Sequence, residues 1–421
     1  MESESDTPDV SSSLQSISQK HQVKLVSRGA DICDIINDFL EKNASEEAFY
    51  IIDIEQVIER YNKWCRLLPD VTPYYAVKCN PDPVIIEVLS ALGCNFDCAS
   101  KNEIKQVTET TGDANRIIFA NPCKMSNQIK YARANDVDIM TFDSDTELYK
   151  VKLYHPYAKL LLRIAVDDSA SRCRFNKKFG CEMKDVESCL GIAKTLRLNV
   201  VGVSFHVGSG CSSPRAFGDA IRHSRKVIDI AEGMGFTMTL LDIGGGFPGI
   251  DTDKISFSAI AEEINTVLAS EFGGRFRRTS ISEADAGEFR IIGEPGRYMV
   301  QSSHTLVLNI IGKREKTIDG EKVFIYYLND GVYGSFNCIY FDHAQPSIQP
   351  YNERNEKKYK SVVFGPTCDS LDTISEFVEL PELAVGEWVY VESFGAYTTA
   401  AASSFNGFSK VNANYIWSCL D

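Results

Sequence analysis

Lys78 closes the apolar, β-favouring part of Pro73-Tyr-Tyr-Ala-Val-Lys-Cys-Asn80, just before the turn-forming Asn80-Pro81-Asp82. An amine on a four-carbon stem at a strand end can reach into a pocket and condense with an aldehyde once burial leaves it neutral. A lysine so placed is otherwise merely solvated, so its companions in the sequence decide the reading. The run Asp242-Ile-Gly-Gly-Gly-Phe-Pro-Gly249 follows another strand-like segment. Gly244, Gly245 and Gly246 carry no Cβ, so their N–H groups can approach an anion. The run reads as a phosphate cradle or as a tight turn, and it lacks the G-x-G-x-x-G spacing of a dinucleotide site. A second glycine turn, Gly293-Glu-Pro-Gly-Arg-Tyr298, sets a carboxylate and a guanidinium three residues apart. Arg297 suits a fork onto phosphate oxygens, and Glu294 suits a protonated ring nitrogen. His206, in Ser204-Phe-His-Val-Gly-Ser-Gly210, either stacks flat on a ring or is a structural histidine of an apolar strand. A Schiff-base lysine, a phosphate site and an acidic partner for a ring nitrogen are the separate requirements of pyridoxal phosphate, whose protonated ring stabilises an α-carbanion.

The elements that must hold these residues repeat. Short β-rich runs at 50–53, 74–77, 95–96, 117–120, 138–142, 160–164, 200–207 and 240–243 make eight in all. Between them lie amphipathic stretches such as 55–67, 83–92, 102–110 and 213–234. Eight βα units predict a TIM-like (β/α)8 barrel, with a doubly wound sheet as the alternative. Polar residues gather where the strands end: Lys78, Asp97, Asn121, Asp143, Arg163, His206 with Ser209, and Gly244 to Gly246. That is the catalytic mouth of a parallel barrel. After about residue 290 the strands 305–311, 322–328, 361–364 and 388–392 follow without helices, so a C-terminal β-sandwich or β-barrel domain is expected. The expected division is an acidic, serine-rich, disordered 1–20, a segment 21–49 that joins the β domain, a cofactor-binding barrel over 50–293, and the β domain over 294–421.

Composition narrows the function. The chain has 421 residues, 44% of them hydrophobic and 24% charged, with a net charge of -14. An acidic surface argues against nucleic acid or an anionic membrane as partner and leaves a small ligand. The 13 cysteines are an odd number with no C-x-x-C pair, and the 6 histidines show no H-E-x-x-H. Free thiols and no metal site are expected. The polar start is unlike a signal peptide and no apolar run reaches membrane-spanning length, so the cytoplasm is the expected location.

Taken together, Pro73 to Asn80, Asn95-Phe-Asp-Cys-Ala-Ser-Lys-Asn-Glu103, Ser204 to Cys211, Asp242 to Gly249, Glu294 to Arg297, Asn329-Asp-Gly-Val-Tyr-Gly-Ser-Phe-Asn-Cys338 and Gly365-Pro-Thr-Cys-Asp369 resemble the eukaryotic ornithine decarboxylase family over about residues 50–410. The resemblance implies decarboxylation of L-ornithine to putrescine, the first step of polyamine biosynthesis, with pyridoxal phosphate as cofactor. It implies that Lys78 binds the cofactor and His206 stacks on its ring. Ser209, Gly246, Gly296, Arg297 and Tyr397 would contact phosphate, with Gly244, Gly245 and Pro295 in the same turns, and Glu294 would face the pyridinium. Asp97, Glu103 and Arg163 would support the site. Asp342, beside Phe341, and Asp369 would receive the substrate's distal amine. The family builds each site from two subunits, so a homodimer is implied, with Cys368 and Asp369 entering from the partner. Cys368 would return a proton to the α-carbon, work a thiol near its pKa can do. Residues 121–152 resemble the family's antizyme-binding element, which makes antizyme an expected partner.

Two positions depart from the family. Phe341 stands where tyrosine is usual, which puts selectivity for amine length in question. Ser370 replaces a glycine after Cys368-Asp369 and would strain the backbone if φ there were positive. The long degradation tail of vertebrate relatives is not expected after Asp421. The rival readings are a non-catalytic antizyme-inhibitor-like protein and a decarboxylase acting on lysine, arginine or diaminopimelate. The presence of Lys78, Asp97, Arg163, Arg297, Cys368 and Asp369 favours an enzyme.

Overall fold

A computed structural model describes residues 10–42, 45–273, 288–352 and 356–420. The chain divides into two compact units, Glu59–Met299 and the combination of Met1–Ile58 with Val300–Asp421. The first is a closed parallel barrel. Its strands in chain order are Thr72–Ala76, Asn95–Cys98, Ile117–Phe119, Ile139–Phe142, Lys159–Arg163, Asn199–Ser204, Leu240–Asp242 and Arg290–Gly293. The last closes on the first through Ile292↔Thr72 and Gly293↔Pro73. Tyr74, Ile118, Ala120, Leu161, Leu240 and Ile292 pack together from five of these strands or their ends, with Ile139 and Val201 against them. Such layers of bulky side chains fill a barrel rather than leave a pore. Gly202 is required by this closeness, since a Cβ there would lie 2.2 Å from the Leu240 carbonyl oxygen.

Local chemistry sets where the helices start. Asp82 caps Pro83–Ala91 by accepting from the Val84 and Ile85 N–H groups, with Pro83 in the first turn. Ser100 caps Lys101–Thr111 at Glu103 N, and Gly112 ends that helix in the left-handed region at φ 67. The buried Trp64 is ringed by Phe247 at 4.8 Å, Phe257 at 5.6 Å and Tyr298 at 5.7 Å, and its Nε1–H donates to the Val71 carbonyl at 2.8 Å.

The second unit is a nine-stranded sheet. Its path runs Lys24–Ser27, Asn412–Leu420, Phe49–Asp53, His304–Ile318, Glu321–Leu328, Lys358–Phe364 and Thr373–Pro381, with Gln349–Pro350 and Trp388–Val391 pairing off it. Asp319 and Gly320, both at positive φ, turn the long hairpin, as a two-residue loop requires. Val26, Ile35, Ile36, Ile51, Val307, Tyr390 and Ile416 form a core on this sheet.

Three expectations change. The run at 50–53 is not a barrel strand, because it pairs with His304–Ile318 and Asn412–Leu420. Arg290–Gly293 takes the eighth barrel place. A short apolar run buried on both faces has no periodicity to name its sheet, and only its partner does. Residues 50–58 therefore go with the sheet unit and 294–299 with the barrel unit. The segment expected to be disordered folds in part: Val10–Lys20 is a helix that buries Leu14 and Ile17, at helical spacing within the serine-rich composition. The rest of that expectation, residues 1–9, lies outside the described residues. Among the described residues no helix is long and apolar enough to cross a membrane, and no group of three or more His, Cys, Asp or Glu is placed to hold a metal ion.

Trp64→Ala empties an aromatic site around which neighbours cannot fully collapse. The expected loss is about 3–5 kcal/mol, with Trp64→Phe losing less, both read from urea unfolding midpoints. A Trp64→Ala midpoint equal to the parent's would show that the cluster does not carry barrel stability.

Candidate active site

The polar strand ends of the barrel unit do meet. Lys78 lies in the 3-10 turn Val77–Cys79 that follows the first barrel strand. That corner is held by the Tyr75 hydroxyl, which donates to the Asn80 carbonyl at 2.8 Å, and by the Asp82 N–H, which donates to Asn80 Oδ1 at 3.1 Å. Lys78 Nζ pairs with Oδ2 of Asp97. Asp97, next to last in the neighbouring strand, is in register with Ala76. It is fully buried, and its Oδ1 has no hydrogen-bond partner among the described residues. Glu103 reaches back to accept the Ala99 N–H at 2.5 Å. Burial raises its pKa, and the nearby Asp97 charge adds to that.

Across the mouth stand Asp242 and Glu294, from adjacent seventh and eighth strands. Asp242 Oδ1 accepts the Gly244 N–H at 2.8 Å, and the Glu294 N–H donates to the Gly244 carbonyl at 2.6 Å. The two carboxyls are close enough to influence each other's protonation. Burial pushes Asp242 up to about 7. Burial, then the charges of Asp242 and Asp97, hold Glu294 well above the usual carboxylate range. Two acids side by side in a dry site cannot both ionise. Glu294 Oε1 nevertheless has no hydrogen-bond partner among the described residues, so one buried acceptor is left over. Arg163, at the end of the fifth strand, faces these acids. Burial lowers its pKa, opposed by Glu294, Asp143, Asp242 and Asp97. Its guanidinium lies 5.1 Å from the Phe179 ring.

His206 accepts the Gly208 N–H at Nδ1, 3.0 Å away, so a neutral ring carries its proton on Nε2. Burial, then the Arg163 and Lys78 charges, keep that ring neutral by lowering its pKa well below the usual value. Phe175 packs edge-on at 4.9 Å. The glycine run lies alongside: a Cβ on Gly245 would sit 2.7 Å from the Glu294 carbonyl oxygen and 2.9 Å from His206 Nε2. A Cβ on Gly246, at φ 112, would sit 2.5 Å from the Gly208 carbonyl oxygen. Arg297 opens the turn Arg297–Val300 after Gly296 and donates to Ser209 Oγ at 3.0 Å, both side chains being buried. The Pro295 carbonyl accepts the Ala76 N–H at 3.2 Å, which fixes this turn to the lysine strand.

Phe341, Asp342, Cys368, Asp369 and Tyr397 belong to the sheet unit. Within it Asp342 is buried and Phe341 is 71% exposed. The Tyr340 hydroxyl donates to the Leu371 carbonyl at 2.9 Å, which places the Cys338–Phe341 turn beside the loop of Cys368 and Asp369. Cys368 is exposed, and its N–H donates to Asn406 Oδ1 at 3.0 Å. Asp369 accepts the Leu371 N–H at 3.0 Å and the Tyr333 hydroxyl, and these bonds lower its pKa. Tyr333 in turn stacks on Phe405 at 4.3 Å. Tyr397 sits at φ 58, unusual for a bulky residue. Ser370 is not among the positive-φ residues, so the strain considered for it does not arise.

Two acids escaped the sequence reading. Asp242 looked like part of a glycine turn, although its place as the last residue of a strand could have singled it out. Asp372 is buried and accepts from Val332 N at 2.8 Å, Thr367 N at 2.9 Å and Thr367 Oγ1 at 2.7 Å, so it binds the base of the Cys368 loop.

Comparison with known proteins shows the family. The pyridoxal-dependent decarboxylase, pyridoxal binding domain, matches residues 54–301. Ornithine decarboxylase of Mus musculus is 47% identical over 400 residues, 92% of this chain and 84% of that protein. Antizyme inhibitor 2 of Xenopus laevis is 43% identical over 415 residues, 96% of this chain and 89% of that protein. The crystal structure of the arginine decarboxylase of Paramecium bursaria Chlorella virus superposes with a TM-score of 0.84 at 36% identity, covering 91% of this chain and 100% of that one. A lysine held by an aspartate, opposite a buried acid and a glycine-lined arginine, is thus found on a chain that belongs to the pyridoxal-dependent decarboxylase family.

Proposed function

We propose that the protein decarboxylates L-ornithine to putrescine with pyridoxal phosphate as its cofactor. The observation that carries this is the buried Glu294 Oε1 opposite Lys78, without a hydrogen-bond partner among the described residues, beside a glycine run that leaves no room for a Cβ. The donor set fits the group: an amine for an aldehyde, an acid for a ring nitrogen, and Arg297 with Ser209 for a phosphate. When bound, pyridoxal phosphate supplies an aldehyde and a protonated ring that accepts the electrons left when a carboxylate departs as carbon dioxide.

The chain's own residues do the rest. Lys78 Nζ offers the amine, and Asp97 holds it in place. A cation set against Glu294 lets the Asp242–Glu294 pair release the proton it shares, which matches a buried charge with a buried countercharge. His206, neutral and held by Gly208, presents a flat face without adding a positive charge near the ring. Arg297, Ser209 and the amides of Gly245 and Gly246 bind the phosphate, the Gly244 N–H being taken by Asp242. Asp369, its pKa lowered by donors from Leu371 and Tyr333, is a carboxylate at neutral pH and suits the distal ammonium, with Asp342 as second acceptor. The exposed Cys368 Sγ holds the proton returned to the α-carbon.

The chain is further proposed to act as a homodimer that shares Cys368 and Asp369 between subunits, and to bind antizyme through residues 121–152. In that stretch Met125 and Tyr149 are exposed, as is Leu153 just past its end. The Xenopus antizyme inhibitor keeps the non-catalytic alternative in view, but the Lys78–Asp97 pair and the Arg297–Ser209 contact favour catalysis.

Purified protein with pyridoxal phosphate should release carbon dioxide faster from ornithine than from lysine or arginine. Lys78→Ala should lower kcat by roughly a thousandfold or more, and borohydride should trap the cofactor on the peptide containing Lys78; silence on all three substrates would sink the enzyme reading. In the cofactor-free protein, the raised folded pKa of Asp242 contributes stability that is present below its unfolded value of 3.8 and lost as pH rises through about 7. The Tm of Asp242→Asn should therefore gain on the parent's between about pH 5 and pH 8, and a pH-independent difference would count against the shared proton. Sedimentation velocity should show a dimer alone and a new complex with antizyme. A monomer at every concentration, or an unchanged profile on mixing, would overturn the respective partner assignment.

A further inference from the structure

Residues 165–181 form a strap of the barrel unit that leaves the fifth strand and rejoins it. The Ala165 N–H donates to the Cys181 carbonyl at 2.9 Å, and the Cys181 N–H donates to the Arg163 carbonyl at 2.8 Å. Between these ends Asp168, 1% exposed, ties the strap into a knot. Its Oδ2 accepts the Phe175 N–H, and the Asn176 N–H at 2.9 Å, while its carbonyl accepts the Ser171 N–H at 3.0 Å. Backbone bonds to a buried carboxylate thus set the shape of the strap and the places from which its side chains project.

The strap lies against the candidate site. Ser171–Cys173 pairs antiparallel with Ser209–Cys211, in the register Cys173↔Ser209 and Ser171↔Cys211. Ser209 is the residue whose Oγ takes the Arg297 guanidinium. Arg172 falls opposite Gly210, where an added Cβ would lie 3.3 Å from Arg172 Cβ and 3.5 Å from its Nε. The Arg172 side chain therefore crosses bare backbone one position away from that hydroxyl. Further along, Phe175 packs on His206 at 4.9 Å, and the Phe179 ring lies 5.1 Å from the Arg163 guanidinium and 4.9 Å from Lys178 Nζ.

The charge of this segment is opposite to that of the protein as a whole. Over 167–181 four cations, Arg172, Arg174, Lys177 and Lys178, stand against two acids, Asp167 and the buried Asp168, in a chain of net charge -14. All four cations are exposed. A phosphate approaching an acidic protein is repelled by the general field, and a local reversal of sign at the mouth focuses it inward instead. We propose that Arg172, Arg174 and Lys177 are a capture element for the cofactor: their field draws the phosphate of pyridoxal phosphate toward the Ser209–Arg297 cradle and speeds its association, without holding it afterwards. The inference rests on pyridoxal phosphate being the cofactor. Lys178, over the Phe179 ring that faces Arg163, belongs to the packing of the mouth and is left out of the set.

The test mixes the full chain, stripped of cofactor, with pyridoxal phosphate and follows the cofactor's absorbance by stopped flow. Sodium chloride is varied from about 20 mM to about 500 mM, which shortens the screening length from roughly 20 Å to roughly 4 Å. Association with the parent should slow about tenfold over that range, the low end of steering effects. Arg172→Gln/Arg174→Gln/Lys177→Gln should be about fivefold slower at low salt, with a flatter salt dependence and an unchanged dissociation rate. The charge-keeping Arg172→Lys/Arg174→Lys/Lys177→Arg should restore the parent's rate, which separates charge from the contacts these side chains make. Pyridoxal, which lacks the phosphate, should associate at a rate indifferent to salt and to either variant. A neutralised variant that keeps the parent's salt dependence, or that differs only by faster dissociation, overturns the proposal. A parent whose mixture shows no absorbance change sinks the cofactor reading itself, whereas a bound cofactor with a salt-independent association rate sinks only the role of the strap.

Discussion

The pairing of the eighth barrel strand with the first is the constraint on which the site depends. Ile292↔Thr72 and Gly293↔Pro73 close the circle, and the residues just past that seam are Glu294 to Arg297 on one side and Lys78 on the other. More than two hundred residues of chain separate those groups in sequence, and a short ladder of parallel hydrogen bonds brings them to one rim. The seam is backed by small residues. Gly293 meets the Trp64 ring, and Gly296 leaves room for Cys79, whose Cβ would lie 2.9 Å from an added one. Packing and closure are thus one requirement: the rim is correct only if the wall behind it is tight.

Closure concentrates charge where water is scarce. Lys78, Arg163 and Arg297 face Asp97, Asp242 and Glu294; the three acids and Arg297 are buried, Arg163 is half-buried and Lys78 is exposed. Isolated charges in such a place cost several kcal/mol each, so they persist only in compensating sets. The compensation is uneven. Lys78 has its aspartate and Arg297 has the Ser209 hydroxyl, while Asp242 and Glu294 compete for one proton. That imbalance is what a cationic ring would relieve. Affinity for such a ring is therefore stored in the protein as unsatisfied carboxylate rather than as an open cavity.

Much of this was legible in the residues because the chemistry is local. Lys78 at a strand end, Gly244 to Gly246, and Glu294 with Arg297 in one turn each announce a function within a few positions. The barrel was legible because helices and strands alternate with different periods. What escaped depends on distant partners. Nothing local distinguishes 50–53 from Arg290–Gly293, since the strand found across each of them assigns its sheet. Asp242 owes its raised pKa to burial that the closed barrel imposes, which no local run of residues announces.

The loop of Cys368 and Asp369 combines exposure with stiffness. Its tip is open to solvent, yet at its base the Asp372 carboxylate takes three hydrogen bonds from Val332 and Thr367. Asn406 and Tyr333 hold Cys368 N and the Asp369 carboxylate from outside. Most exposed loops lose conformational freedom only when something binds them, and affinity suffers by that entropy. Here the freedom is already gone in the single chain. Whatever surface receives this loop meets a thiol and a carboxylate at a fixed separation, so recognition becomes a matter of shape rather than of folding on contact.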